Sequence, residues 1–313
     1  MQSENPQISQ EEMQEMIKQQ LMSNQSNLEQ FKQLEFLDKE QVVTDFNEYL
    51  KLAVATSSTL EKDTATRLLH STCGIIGELG ELATVMFKEE AITEVGDVLW
   101  NIAEGFDAIT KHAPDHELFK TMFNPPNVKP EDPEYVNNTF DKIVNFVYTK
   151  TISDCPRFNK MSAVNGVSLR DEYNEVIVGI SHLLDEVKKA FFYGKGITEE
   201  LIAIYVGVTP VVLTFLSRYL DFHFDMLLEL DAHEYSIKMV EHNKEIKDLN
   251  EEEAKKVEAP VQRDMDKYSF LLKVANANIL KLKARFPDGK FDLDKSNNRD
   301  YQKESESAGV KGE

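Results

Sequence analysis

Apolar residues along this chain recur mostly at the three- and four-residue spacing of helices, and the alternation of a half-buried strand is scarce. The pattern predicts an all-α protein. Within residues 1–45, Met13, Ile17 and Leu21 keep helical spacing in a segment rich in Gln, Asn, Ser and Glu. This extension reads as a loosely attached helix or as partly disordered. Residues 46–112 read as a helix, a connector and two further helices ending near "KHAPDHE". The stretch 113–135 holds five prolines and is a connection rather than a packed element. Helical patterns resume at 136–155 and again from Arg170 to about Lys247. Residues 136–235 read as one module, and the charged 236–263 as a solvated helical linker. A closing helix is predicted over 264–286, stopped by Pro287 and Gly289 within a segment 264–291. The polar tail 292–313 is expected to fray.

One apolar run, "LIAIYVGVTPVVLTFL" at 201–216, is interrupted by Thr209 and Pro210. It is shorter than the ~20 residues of a membrane span, which predicts a buried helix kinked at Pro210 and no membrane partner. Charge narrows the partners further. With 55 acidic against 35 basic residues the formal net charge is −20, which disfavours nucleic-acid and membrane surfaces. The start of the chain is polar rather than an apolar leader, and Cys73 and Cys155 have no disulfide or metal spacing. A reducing, cytoplasmic setting is the expectation, with Cys73 a small buried hydrophobe.

Candidate chemistry enters with "CGIIGELGEL", residues 73–82. Gly74, Gly77 and Gly80 each cost roughly 1 kcal/mol against alanine inside a helix. Glu78 and Glu81 form an i, i+3 pair on one helical face. After twelve intervening residues, "EVGDVLW" supplies a second pair, Glu94 and Asp97, on another apolar helix. Antiparallel helices joined by that interval bring four carboxylates together, and such a cluster repels itself unless cations sit within it. Hard oxygen ligands suit Mg2+, with Mn2+ an acceptable substitute. On this reading the glycines, Gly96 included, let a neighbouring helix or a ligand approach the backbone beside the acids. A di-iron bundle expects Glu-x-x-His, and neither pair has the histidine.

Glu78-x-x-Glu81, the twelve-residue interval and Glu94-x-x-Asp97 resemble the signature of the MazG-like all-α nucleotide pyrophosphohydrolases. "FNEYLKLAVATSS", "LLHSTCGIIGELGEL", "EVGDVLWNIA" and the distant "NANILKLKARFPDGKF" (276–291) are similar to words of that family. The resemblance implies that Glu78, Glu81, Glu94 and Asp97 bind magnesium, and that water attacks a nucleoside triphosphate to release pyrophosphate and a monophosphate. It also implies contact with phosphate or sugar by Asn278, Lys281 and Arg285. His70 matches a family histidine, as a structural imidazole or a ligand contact. Trp100 reads as core, with base stacking the lesser alternative.

Residues 136–235 resemble a second, damaged copy. "FDKIVNFVYTKTIS" from Phe140 lines up with "FNEYLKLAVATSST" from Phe46, and "VGISHLLDEVKKAFFYGKGI" (178–197) with the family's lysine-rich run. Aligning Gly179 with Gly74 sets Leu183 at the place of Glu78 and Glu186 at that of Glu81. "YVGV" then stands where "EVGD" stands in the first copy, so Tyr205 replaces Glu94 and Val208 replaces Asp97. This copy keeps Lys188, Lys189, Tyr193 and Lys195, read as substrate contacts, but has lost three of four ligands. The expectation is therefore tandem helical modules packed as an internal pseudo-dimer, with a composite site, a small-molecule nucleotide substrate and homo-oligomerisation allowed. The rival expectation is a catalytically weak nucleotide-binding or regulatory protein of the same fold.

Overall fold

The computed structural model describes residues 35–85, 90–114, 116, 141, 144, 169–247, 257–260 and 265–310. The predicted extension before residue 35, most of the proline-rich connection, nearly all of the helix expected at 136–155 and Cys155 lie outside them. Every regular element among the described residues is helical. A 3-10 turn at Glu35–Leu37 precedes α1 (Phe46–Ala55), α2 (Thr64–Thr84), α3 (Glu90–His112), α4 (Leu169–Tyr193), α5 (Glu199–Ile246), α6 (Lys267–Arg285), α7 (Leu293–Asn297) and α8 (Tyr301–Ala308).

Aspartate caps fix most of these starts. The Asp45 carboxylate accepts from the amides of Asn47 and Glu48, Asp63 from Thr66, and Asp266 from Ser269. Each satisfies amides that a helix N-terminus leaves unpaired. The predicted helix, connector and two helices over 46–112 are thus present. The helical patterns from Arg170 to about Lys247 form two helices, separated where Gly194 and Gly196 take positive φ (64° and 71°) and turn the chain.

The chain divides into two compact units: Phe36–Asp225 with Asp264–Glu313, and Met1–Glu35 with Met226–Arg263. The division between them, after Asp225, falls inside helix α5. In the second unit, residues 236–246 are helical and largely exposed, with Ile237 and Val240 among them.

In the first unit α3 is central. It packs against α1, α2 and α6, burying Val95, Leu99, Ile102, Phe106 and Ile109. Helix α4 lies against α2. The first half of α5 reaches α3 through Tyr205, whose hydroxyl donates to the Ile102 carbonyl (2.9 Å), and α2 through Tyr219, which donates to the Leu82 carbonyl (3.0 Å). Helix α5 continues through Pro210 without a break. Thr209 and Thr214 hydroxyls bond the carbonyls of Tyr205 and Pro210 on either side, at 2.9 and 2.8 Å. Glu199–Leu220 is, by length and composition, able to cross a membrane, so the run is longer than its 16-residue apolar stretch suggested. Its apolar positions Leu201, Ile202, Leu213 and Leu216 are nevertheless buried among the other helices, as a core helix requires.

Three expectations need correction. Residues 36–43 are anchored to the core rather than loosely attached: Phe36 and Val43 are fully buried, and Asn276 of α6 bonds the Val42 amide (2.7 Å) and the Glu40 carbonyl (3.0 Å). The tail does not fray over 293–310; it folds into α7 and α8, α8 packs on α6, and Ala308 and Val310 are buried. Cys73 is exposed, because it falls on the outer face of α2.

Candidate metal centre

Helices α2 and α3 pair antiparallel, with His70 beside Glu104, Ser71 beside Asn101 and the acidic pairs beside each other. One carboxylate oxygen from each of Glu78, Glu81 and Glu94 lies within 4.8 Å of the others. Oxygens on opposite sides of a Mg2+ ion stand about 4.2 Å apart, twice a metal–oxygen bond of about 2.1 Å. The donor set is all hard oxygen, the ligand type that such ions take. Glu78 and Glu94 are half-buried and Glu81 is exposed. Burial, then the neighbouring charges of Asp97, Glu81 and Glu94, push the Glu78 carboxyl up to about 8. Burial and Asp97 push Glu94 up to about 7. A cation placed among these groups removes the repulsion that raises both.

Asp97 stands beside this trio and is held from the far end of the sequence. Asn278 Nδ2 donates to Asp97 Oδ1 (2.8 Å), and Lys281 Nζ bonds Oδ2. Both donors project from α6, which lies close because Gly96 has no side chain. A Cβ there would meet the Asn278 Cβ at 2.9 Å. Tyr49 of α1 then fixes the asparagine: its buried hydroxyl lies 3.1 Å from Asn278 Oδ1 and 3.2 Å from the Gly96 carbonyl. Gly74 performs the same service one level down, where a Cβ would overlap the Asn101 side chain. The other two glycines differ from expectation, because a Cβ at Gly77 or Gly80 would meet nothing within 4 Å.

Arg285, one turn beyond Lys281, pairs with Glu304 of α8 instead of with the acids, at 2.9 and 2.6 Å. Trp100 donates its indole N–H to the Ala53 carbonyl (2.9 Å) and rests edge-on to His70, ring centroids 5.8 Å apart. His70 Nδ1 sits 2.6 Å from Glu104, a fully buried carboxylate that also takes the hydroxyls of Ser57 and Thr59. The lysine-rich run lies elsewhere. Lys189 pairs with Asp185 (2.9 Å) and Glu186, while Lys188, Tyr193 and Lys195 are exposed at the α4–α5 turn. Tyr219 marks the level of the acids on α5, and that turn lies 20 residues away, about 30 Å at 1.5 Å per residue. The positions aligned with the ligands are apolar core: Leu183 and Tyr205 are buried, and Val208 packs on Gly179. A pocket of about 520 Å³ opens between α1 and the C-terminal end of α3, lined by Leu50, Lys51, Asp107 and Lys111. It is ten residues of α3, about 15 Å, beyond Asp97.

Tyr49, Asn101, Glu104 and Glu304 went unread in the sequence. Only Glu104 leaves a trace there, a charge seven residues after Asp97 on an otherwise apolar stripe. Compared with known proteins, no family model matches the chain, no curated protein matches it, and no solved structure matches it.

Proposed function

We propose that the protein is a magnesium-dependent nucleoside triphosphate pyrophosphohydrolase of the MazG-like kind, releasing pyrophosphate and a (d)NMP. The observation that carries the reading is the meeting of Glu78, Glu81 and Glu94 beside Asp97, with Asn278 and Lys281 arriving from α6. These four acids would hold the cation. Bound magnesium supplies positive charge to a phosphoryl oxygen and lowers the barrier to attack by water. The chain's own groups do the rest. Asn278 and Lys281 fix the orientation of Asp97, and Lys281 would offer its charge to the polyphosphate. Glu81, the most exposed of the set, is placed to orient or deprotonate the attacking water.

The tandem pseudo-dimer also draws support from geometry. The alignment sets Asn47 against Asp141, and the two segments meet at these positions. Asp141 Oδ1 accepts from the Phe46 amide and Asn47 Oδ1 from the Asp141 amide, both at 3.1 Å. Contact between aligned segments is what an internal pair of modules requires.

Purified protein incubated with each canonical NTP and dNTP plus Mg2+ should release pyrophosphate. Glu78→Gln and Asp97→Asn should abolish release and keep the helical circular dichroism. Absence of turnover by the parent protein on every nucleotide refutes the hydrolase reading. Nucleotide binding without turnover would establish the regulatory alternative instead.

A further inference from the structure

The tail that packs on α6 carries a charge arrangement that docking alone does not require. Glu304 is buried and takes three donors at once: Arg285 Nε (2.9 Å), Arg285 Nη2 (2.6 Å) and Arg299 Nη2 (2.9 Å). One carboxylate thus holds two guanidiniums, and most of their ten N–H donors stay uncommitted to it. Arg285 is one turn beyond Lys281 on α6, and Lys281 touches Asp97. Lys281, Arg285 and Arg299 therefore line the α6–α8 edge as three cations, the first held by Asp97 and the other two by Glu304. Arg299 Nε is buried with no hydrogen-bond partner, and the guanidinium stacks 4.4 Å over the Tyr301 ring. Burial works against the charge on Arg299, but Glu304 outweighs it and Asp97 adds to the hold, so Asp97 lies within its electrostatic reach.

We infer that Arg299, delivered by the docked tail and oriented by Glu304, is an anion-contacting residue of this site and takes the polyphosphate chain of the nucleotide. This rests on the pyrophosphohydrolase reading. Guanidinium suits the role, because its planar fork bonds two phosphate oxygens together and keeps its charge when partly buried. The division of labour is physical: the acids of α2 and α3 attract a cation, and the α6–α8 edge supplies the donors that a polyphosphate needs after the cation has offset part of its charge. Glu304 is a positioning residue in this arrangement. Without it, two like charges would repel and Arg299 would lose its fixed direction.

The probe is inorganic tripolyphosphate with Mg2+, titrated calorimetrically into the full chain. Arg299→Gln should weaken tripolyphosphate binding about tenfold and leave Mg2+ binding to the free protein unchanged, while Arg299→Lys should recover part of the loss. In the parent protein, phenylglyoxal modification of Arg299, read by mass spectrometry, should slow several-fold when tripolyphosphate and Mg2+ are present. That measurement needs no variant to fold. Unchanged tripolyphosphate affinity in Arg299→Gln, or unprotected Arg299 in the parent, overturns the proposal. A parent that hydrolyses nucleotides while Arg299→Gln keeps its KM refutes only the role of Arg299. A parent that protects Arg299 yet hydrolyses no nucleotide refutes the hydrolase reading and leaves the anion site standing.

Discussion

Glu104→Gln tests the most enclosed charge in the first unit. The carboxylate has no exposed surface and accepts from Ser57, Thr59 and His70, joining the Thr56–Asp63 connector to α2 and α3. Burial would raise its pKa, but the bonds from His70, Ser57 and Thr59 outweigh it and hold the carboxyl below its ordinary 4.5. The bond to Glu104 raises His70 above its ordinary 6.5, against an opposing effect of burial. The histidine share of stability is complete below 6.5 and is lost as pH rises through the folded value. The glutamate share is complete above 4.5 and is lost as pH falls through the folded value. Both act together between 4.5 and 6.5. Glutamine keeps an acceptor for the hydroxyls but removes the charge, weakening each of those bonds by roughly 1 kcal/mol. The His70 side chain is 38% exposed, so its ion pair is screened and adds at most about 1 kcal/mol. Glu104→Gln should therefore cost about 2–3 kcal/mol near pH 6 and roughly 1 kcal/mol less at about pH 8.5. Trp100, the one tryptophan, touches His70 and reports urea unfolding of this unit by fluorescence. A loss below about 0.5 kcal/mol near pH 6, or a larger loss at the higher pH, refutes the reasoning.

Lys281→Ala should lower kcat/KM by about ten- to a hundredfold, the loss of one charge-assisted contact. Mg2+ binding should not weaken, since the lysine occupies Asp97 before any metal does; calorimetric titration of Mg2+ checks this. Gly74→Ala should lower stability by about 1–3 kcal/mol because its Cβ overlaps the buried Asn101, whereas Gly80→Ala, facing open space, should raise it by up to about 1 kcal/mol. Equal effects in thermal melts would mean that the α2–α3 approach is looser than described.

The helices of 46–112 were legible because apolar period is local, set by each residue's own turn of backbone. The acidic pairs were legible for the same reason: an i, i+3 spacing puts two carboxylates on one face before any tertiary contact forms. Nothing local told Gly74 from Gly77 and Gly80. The first is covered by Asn101 and the others face outward, and only the packing of α3 on α2 separates them. The tail shows the limit from the other side. Its composition is that of a frayed end, yet Glu304 is buried, because Arg285 lies 19 residues upstream on a helix that α8 happens to meet. The lysine-rich run had the right residue types for phosphate, but α5 carries it about 30 Å from the acids. Sequence thus determined which residues share a helical face, since backbone geometry alone sets that. Which faces meet was left to the tertiary structure, because burial and charge pairing between distant segments depend on how all the helices fill one core.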